Sequence, residues 1–243
     1  MQIKKLLEKY ISKKPPEIVW QKTEVRKTEA APLKIGVAFY YKNIDQYPPP
    51  WINKCIESMR QQTYNDFDVY VLNYGERDDH SFDFTMGNNL YYLHKPLGNY
   101  ADAMNFVYSK IFETCDVSVN TNIDDFYSVR RIEALLQNLK DGADIASSNF
   151  RVIDEYSNVT YSPSFNNVNI YGMLCKGLNP VSNPCHLMKK AVFDKLQFDS
   201  TLVPVEDMDF WKKAIESGFK IAVNKRYLHY YRMHPKQATH QYK

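Results

Sequence analysis

Two adjacent carboxylates follow a strand-like run in the middle of the sequence. The run covers residues 117–121, and Asp124 and Asp125 separate it from a helix-like run that begins near Ser128. In open α/β sheets, ligands bind at the carboxyl ends of the strands, where paired acids can hold a divalent cation against phosphate groups. The pattern therefore predicts a metal-diphosphate site. The alternative is an ordinary turn that leads into a helix N-cap, for which Asp is equally typical.

A second pair of acids, Glu206 and Asp207, opens a predicted helix over residues 207–217. The helix dipole and the free backbone N–H groups of the first turn stabilise an anion there, so we expect Asp207 to stay ionised at neutral pH. An ionised carboxylate suits a general base that takes a proton from an attacking hydroxyl. The alternative is a simple capping residue, since Asp is common at helix starts.

A third group of candidate residues lies near the end of the sequence, after a strand-like run. His234 carries an imidazole that can complete the coordination shell of a divalent metal ion, and Arg232 or Lys236 can face phosphate oxygens. A lone histidine is more often structural. The acid pair, the Glu-Asp pair and this basic segment occur together, in this order, on an alternating α/β chain, and that combination favours a shared site.

The first predicted strand ends in aromatic and polar residues instead of a glycine-rich phosphate loop. Tyr40, Tyr41 and Asn43 could stack on a nucleobase and hydrogen-bond its edge, although we expect one of the two tyrosines to serve packing alone. The sequence has no Gly-x-Gly-x-x-Gly after this strand and no Walker-type loop. Dinucleotide-binding Rossmann enzymes and P-loop enzymes are therefore disfavoured.

Hydrophobic periodicity predicts an α/β fold with a mostly parallel central sheet flanked by helices, because strand-like and helix-like runs alternate along the chain. The predicted strands are residues 35–40, 67–72, 117–121, 144–150, 220–223 and 227–231. The predicted helices are residues 51–62, 100–112, 129–139, 189–196 and 207–217. Residues 152–184 are rich in Asn, Ser, Pro, Tyr and Gly, and we expect them to form substrate-facing loops.

Composition sets limits on partners and location. The chain has 243 residues and a formal net charge of +3, with its basic residues dispersed, which gives no electrostatic argument for nucleic acid or an anionic membrane. No apolar run reaches membrane-spanning length and the start lacks the apolar core of a signal peptide, so we expect a cytoplasmic protein. Four widely spaced cysteines are expected to be reduced and structural: Cys55, Cys115, Cys175 and Cys185.

The first residues differ in character from the rest. Residues 1–31 are charged and poor in core residues, and we interpret them as an N-terminal extension or linker that could dock on a partner or a neighbouring domain. Residues 32–243 are expected to form one globular domain.

From residue 33 onward, the chain resembles the family 2 glycosyltransferases, which have the GT-A fold. The resemblance rests on the order and spacing of several segments. Residues 55–64 resemble the family's first helix, residues 69–75 its second strand, and Gly98 with residues 103–105 its Gly...Ala-Arg-Asn helix. Residues 122–124 occupy the Asp-x-Asp position, residues 206–207 the Glu-Asp position, and residues 231–234 the late Tyr-Arg-x-His segment.

The resemblance implies transfer of a sugar, with inversion at the anomeric carbon, from a nucleotide-diphosphate donor to a hydroxyl of a glycan or glycoconjugate acceptor, in glycan or surface polysaccharide synthesis. Asp124 and His234 would bind Mn²⁺ or Mg²⁺, with Mn²⁺ favoured, and Asp207 would be the general base. Asn122 or Asp125 would help to bind the metal. Donor contacts would come from Tyr40, Asn43, Asn73, Asn122 and Arg232. Asn183, Cys185 and His186 would lie toward the donor sugar or the acceptor.

The sequence departs from the family pattern at three positions. Asn122 replaces the first acid of Asp-x-Asp, Asn73 replaces the usual acid after the second strand, and Met104 stands where Arg is usual. The departures leave Asp124 as the one acid at the Asp-x-Asp position for direct metal coordination, and Asp78 or Asp79 is an alternative for the nucleobase contact.

Three rival classes follow from the same residues. A sugar-nucleotide nucleotidyltransferase would need a glycine-rich basic loop after the first strand, which this sequence lacks. A non-catalytic glycan- or nucleotide-binding module on the same fold would keep the tyrosine-rich surface but lose the base or a metal ligand. A retaining transferase would differ in the stereochemistry of its product.

Overall fold

One mixed sheet forms the centre of the fold. The strands are β1 (Ile35–Tyr41), β2 (Asp68–Asn73), β3 (Leu90–His94), β4 (Val117–Asn122), β5 (Phe126–Tyr127), β6 (Ile145–Ile153), β7 (Val159–Tyr161), β8 (Leu187–Lys189) and β9 (Ile221–Arg232). The computed structural model describes residues 33–79, 81–235 and 237, and in this part of the chain the strands pair in the order β3-β2-β1-β4-β8-β6-β9-β5, with β7 on β6. The predicted extension, residues 1–31, lies outside the described residues.

Helices flank this sheet. They are α1 (Pro49–Arg60), α2 (Tyr100–Ile111), α3 (Arg131–Lys140), α4 (Ile170–Leu174), α5 (Lys190–Lys195) and α6 (Glu206–Glu216). The predicted stop of α6 is present, since Gly218 adopts a φ of 90°, which L side chains rarely tolerate. Within the described residues, no helix is long and apolar enough to cross a bilayer.

The longer strand pairings are parallel, as the sequence predicts. β1 lies parallel to β2 and β4, β2 to β3, and β6 to β9. β8 runs antiparallel to both β4 and β6 and joins the two parallel groups. The register places Tyr40 beside Asn122 and Tyr41 beside Asn73. The ends of three strands therefore meet at one edge of the sheet.

β9 differs from the prediction of two separate strands. In its pairing with β6, Ser148 lies opposite Asn224 but Asn149 lies opposite Tyr227, so that Lys225 and Arg226 are skipped. Both skipped residues are exposed. Such a bulge lets polar residues interrupt the apolar pattern while the strand continues. The side-chain amide of Asn149 closes the gap by donating to the backbone oxygen of Lys225 at 2.9 Å.

Several short elements have no counterpart among the predictions. They are β3, β5, β7, β8 and α4, and each is five residues long or shorter. A run of that length is too short to establish a period. Their pairing is supplied by neighbouring strands, which a sequence pattern does not reveal.

Helices cover both faces of β1, which is buried along its whole length. Val37 and Phe39 pack in a core cluster with side chains of α1 and α3. Ala38 and Tyr40 point to the other face and pack in a cluster with α2 and α6. Because each large buried apolar side chain contributes about 1.5–3 kcal/mol, the two layers hold the strand ends firmly in place.

Gly75→Ala is expected to destabilise the fold by about 1–3 kcal/mol or more, the range for overpacking. A Cβ at this position would lie 1.7 Å from the backbone oxygen of Lys42, which cannot move as a side chain can. Urea unfolding would measure the effect. Gly98→Ala is the control, since a Cβ there meets only the Asp102 carboxylate at 3.7 Å. Equal stability of the two variants would contradict the prediction.

Candidate active site

A cavity of about 400 Å³ lies where β1 and β4 end. That volume falls within the usual range for small-molecule sites. Its polar wall carries the acids and the histidine proposed from sequence: Asp124, Glu206, Asp207 and His234. Aromatic rings cover much of the remainder: Tyr40, Tyr47, Tyr74, Tyr100, Phe150 and Tyr231. The predicted substrate-facing region contributes Asn179 and residues 181–184.

Asp124 and His234 form a pair on the cavity wall. Asp124 follows β4 and His234 follows β9, and the carboxylate oxygen Oδ2 lies 3.0 Å from the imidazole Nε2. The rings of Trp51 and Tyr47 lie against the imidazole, with ring centroids 5.1 and 6.4 Å away. These contacts fix the orientation of His234, with its Nε2 directed at the Asp124 carboxylate.

The donor set of this pair fits a divalent cation that is shared with a substrate. The described part of the chain contains no cluster of three or more His, Cys, Asp or Glu side chains with metal-binding geometry. Mg²⁺ and similar ions are commonly held by one or two carboxylates together with substrate phosphates. One carboxylate and one imidazole therefore suffice only if a ligand supplies the remaining oxygens.

Asp125 is turned away from the cavity, in contrast to the expectation that it helps to bind metal. Its carboxylate is 1% exposed and accepts hydrogen bonds from His229 Nε2 at 2.9 Å and from the backbone N–H of Arg232 at 2.7 Å. Nδ1 of the same imidazole lies 2.9 Å from Oγ of Ser182. Burial raises the pKa of Asp125 well above its usual range and lowers that of His229 to about 3. These buried hydrogen bonds connect the turn after β4 to β9 and to Ser182, so Asp125 has a structural role.

Arg232 also differs from its expected position facing phosphate oxygens. The guanidinium is fully buried and is not part of the cavity wall. Nε donates to the backbone oxygen of Asp124 at 2.8 Å, and Nη1 donates to the backbone oxygens of Asp154 and Glu155 at 3.0 and 3.1 Å. Backbone carbonyls therefore occupy Nε and Nη1, whereas Nη2 is buried without a hydrogen-bond partner in the described part of the chain and is not exposed to the cavity. Lys236, the alternative, lies outside the described residues.

Asp207 occupies the first turn of α6, as predicted, but its titration differs from the expectation. Burial and the neighbouring Glu206 carboxylate raise its pKa from the ordinary value of 3.8 to about 7. Hydrogen bonds from the backbone N–H of Met208 at 2.7 Å and from Nδ2 of Asn179 at 2.8 Å oppose this rise. The loss of hydration on burial therefore raises the pKa of Asp207 more than the helix N-terminus and the hydrogen bonds lower it. A carboxylate that titrates near neutrality is well matched to general-base work.

Tyr40 and Asn122 lie together on the nucleoside side of the predicted site, and both border the cavity. The hydroxyl of Tyr100 connects them, since it lies 2.6 Å from the Tyr40 hydroxyl and donates to Oδ1 of Asn122 at 2.8 Å. Tyr40 also donates to Oδ1 of Asn120. Tyr41 points to the opposite face, where its hydroxyl donates to the backbone oxygen of Asp79. One tyrosine therefore serves packing, in line with the prediction.

Asn43 and Asn73, the other two predicted nucleoside contacts, are not among the cavity-lining residues. Asn43 is exposed on the loop after β1. The buried amide of Asn73 is used within its own loop, where it donates to the backbone oxygen of Arg77 at 2.6 Å and accepts from the N–H of Gly75 at 3.0 Å. The alternatives, Asp78 and Asp79, do not line the cavity either.

Of the three residues expected to lie toward the donor sugar or the acceptor, Asn183 borders the cavity, whereas Cys185 and His186 do not. Cys185 and His186 are fully buried. The imidazole of His186 lies 3.0 Å from the Tyr108 hydroxyl and 2.6 Å from the backbone oxygen of Asn183, and burial lowers its pKa to about 4. This histidine is a neutral core residue.

Sequence reasoning missed Tyr47, Tyr100 and Asn179. Tyr47 follows a short 3₁₀ turn after β1, and Tyr100 opens α2 behind its N-cap Asn99. Positions at helix starts beside strand ends are the available signal, since they lie near the ligand-binding edge of an α/β sheet. Asn179 belongs to the region predicted to face substrate, but its sequence gives no reason to single it out.

The fold and the cavity define the class of the protein: a mixed α/β sheet flanked by helices, with a ligand-sized cavity where its parallel strands end. The sequence model described as Glycosyl transferase family 2 matches residues 37–197. The chain belongs to this family. A search of curated proteins found no match.

Solved structures share the GT-A fold. S. aureus TarS 1–349 in complex with UDP-GlcNAc has a TM-score of 0.63 and 16% identity, over 85% of this chain and 60% of that one. The mannosyltransferase PcManGT from Pyrobaculum calidifontis, in complex with GDP-Man and Mn²⁺, has a TM-score of 0.60 and 14% identity, over 99% of this chain and 66% of that one. The chain thus spans less than two thirds of either structure.

Asp207→Asn is expected to flatten the dependence of stability on pH. Because its pKa is higher in the folded state, the wild-type carboxyl stabilises the fold below about pH 4, and this contribution is lost as pH rises to about 7. At pH 8 the variant should be more stable than the wild type by about 1–2 kcal/mol, less than the full shift because the carboxylate borders the cavity.

Urea unfolding at pH 5 and pH 8 would measure this difference. Asp209→Asn is the matched control, since Asp209 lies on the same helix and pairs with Lys213 at 2.7 Å. Parallel pH curves for the wild type and the Asp207 variant would show that the prediction is wrong.

Proposed function

We propose that the chain is the catalytic domain of a metal-dependent, inverting glycosyltransferase that moves a sugar from a nucleotide-diphosphate donor to an acceptor hydroxyl. One observation carries the proposal. The Asp124–His234 pair and the Asp207 carboxylate border the same cavity, at the strand ends where α/β proteins bind ligands.

Asp124 and His234 hold the cation in this scheme, and Mn²⁺ or Mg²⁺ fits their donor types, with Mn²⁺ favoured by the imidazole. When bound, such an ion neutralises charge that grows on the departing diphosphate. Because the chain supplies few ligands, the ion arrives largely as a complex with the donor. Tyr40 and Asn122 provide an aromatic face and an amide for the nucleoside or ribose of that donor.

Asp207 takes the proton of the acceptor hydroxyl. The oxygen attacks the anomeric carbon, the bond from that carbon to the diphosphate oxygen breaks, and a single displacement inverts the anomeric centre. The base needs to be ionised for this step, and a pKa of about 7 leaves a large fraction of the carboxyl ionised at neutral pH while retaining basicity. Turnover should therefore rise with pH through about 7.

The acceptor in this proposal is a glycan or glycoconjugate. The tyrosine and phenylalanine rings of the cavity offer apolar faces to sugar rings, whereas the few polar groups set orientation. The competing proposal is a non-catalytic binding module. It is disfavoured because an acid suited to act as base and a pair suited to hold a cation border the same cavity. Cytoplasmic location and a partner for residues 1–31 stay predictions.

Asp207→Asn is expected to reduce transfer by about 10³-fold or more, because the base acts only in the transition state, and to leave donor binding nearly unchanged. The experiment compares kcat with the donor affinity measured by calorimetry. Asp209→Asn should retain activity, since Asp209 does not line the cavity. Wild-type turnover by the Asp207 variant would exclude the assignment of the base.

Asp124→Ala is expected to weaken donor binding at least about tenfold in the presence of Mn²⁺ and to have little effect in EDTA. Calorimetry with UDP-GlcNAc and GDP-Man, the donors present in the two similar structures, would test this. Asp141→Ala is the control, because Asp141 is exposed at the end of α3 and does not line the cavity. Equal affinities of the Asp124 variant and the wild type in both conditions would contradict the ligand role.

A further inference from the structure

Asn179 contacts the carboxylate that serves as general base in the proposed function. It lies in the loop that follows α4 and borders the cavity. Its side-chain Nδ2 donates to Oδ2 of Asp207 at 2.8 Å. This amide connects the predicted substrate loop to the first turn of α6, two segments that are 28 residues apart in sequence.

The orientation of the Asn179 amide follows from its second contact. Oδ1 accepts the backbone N–H of Val181 at 3.0 Å. Rotating the amide by half a turn would place NH₂ against N–H at Val181 and carbonyl oxygen against carboxylate at Asp207. Both contacts would then be repulsive. The donor of Asn179 therefore has to face the base.

The loop that carries Asn179 is anchored immediately after it. The backbone oxygen of Ser182 accepts from Oγ of Ser147 on β6 at 3.1 Å, and Oγ of Ser182 contacts the buried imidazole of His229 on β9. The backbone oxygen of Asn183 accepts from Nδ2 of Asn120 on β4 at 2.8 Å. Three strands of the sheet thus fix this loop, and a side chain on a fixed loop can hold its partner within tight limits.

The hydrogen bond from Asn179 reaches a carboxylate whose ionised form is disfavoured by its surroundings. Asp207 lies beside Glu206, which is also buried and whose pKa is raised by burial. One oxygen of Asp207 accepts from the N–H of Met208 and the other from Asn179, so the remaining lone pairs are left for substrate. A hydrogen bond to the ionised form favours that form.

We infer that Asn179 is a positioning residue for the general base, and that its amide N–H orients the Asp207 carboxylate and stabilises it relative to the protonated acid. The inference rests on the proposed role of Asp207. It assigns the loop after α4 a part in catalysis without any contact between Asn179 and the reacting atoms.

Within the described residues, few other titratable groups near Asp207 can change its pKa. Glu206 is the charged neighbour on α6 itself, and the Tyr100 phenol on α2 interacts with Glu206. Asp124 and His234 border the same cavity. The loop contributes the neutral Asn179 amide, so a change at this position alters the field at Asp207 while leaving these other groups in place.

The test is a pH titration of the Asp207 side chain by ¹³C NMR of protein labelled at aspartate Cγ, with the resonance assigned by its loss in Asp207→Asn. Two variants remove the donor to Asp207; of these, Asn179→Asp retains the acceptor for the N–H of Val181, whereas Asn179→Leu removes it as well. Asn179→Asp keeps an acceptor for Val181 but removes the donor to Asp207 and adds a like charge. Asn179→Leu keeps the volume, excludes water and removes the donor without adding charge.

We expect the titration midpoint to rise by about one pH unit in Asn179→Leu and by more in Asn179→Asp. Asn169→Asp is the matched control, because Asn169 caps α4 by accepting from the N–H of Gly172 at 2.9 Å, a role that Asp fills equally well. Its midpoint should equal that of the wild type.

An unchanged midpoint in Asn179→Leu would overturn the inference, even if Asn179→Asp shifts, because the shift would then arise from added charge alone. The titration needs neither donor nor acceptor. It is therefore independent of the proposed function, which fails instead if Asp207→Asn retains wild-type turnover.

Discussion

The buried carboxylate of Asp125 holds together the arrangement on which the site depends. It accepts hydrogen bonds from His229 and from the backbone of Arg232, and the Arg232 guanidinium in turn donates to the backbone oxygen of Asp124. Removing one member of such an enclosed polar cluster typically costs about 3–5 kcal/mol, since its partners are left unpaired. The cluster locks the end of β9 against the turn after β4, and this brings His234 to Asp124.

The same cluster extends to the opposite wall of the cavity. Ser182 contacts the imidazole of His229, and three residues earlier Asn179 contacts Asp207. One short loop therefore connects the cluster beside the Asp124–His234 pair to the carboxylate of Asp207, the proposed base. Groups that act on the same substrate need fixed relative positions, and here the fixed positions derive from a shared set of buried hydrogen bonds rather than from the flexible ends of surface side chains.

Apolar runs were enough to predict the main strands and helices, because β1, β2 and β4 are buried and α1 and α6 each present one apolar face. The order of the motifs in the sequence was enough to predict that Asp124, His234 and Asp207 share one site, and all three border the same cavity. The buried positions of Asp125 and Arg232 were not predictable, since they depend on hydrogen bonds between segments that are more than 100 residues apart. The titration of Asp207 depends on burial by distant segments, which no local pattern encodes.

Asp124 and His234 are 110 residues apart in the sequence, and His234 follows the last strand of the sheet. If β9 separated from β6, the chain would lose two contacts of Asp124 together: the one with the His234 imidazole and the hydrogen bond from the Arg232 guanidinium. Such a chain would lack one of the two side chains that are proposed to hold the cation, even with β1, β2 and β4 intact. On the proposed assignment of the metal ligands, metal affinity therefore reports whether β9 is in place, and a partly unfolded chain would bind the complex of metal and donor only weakly.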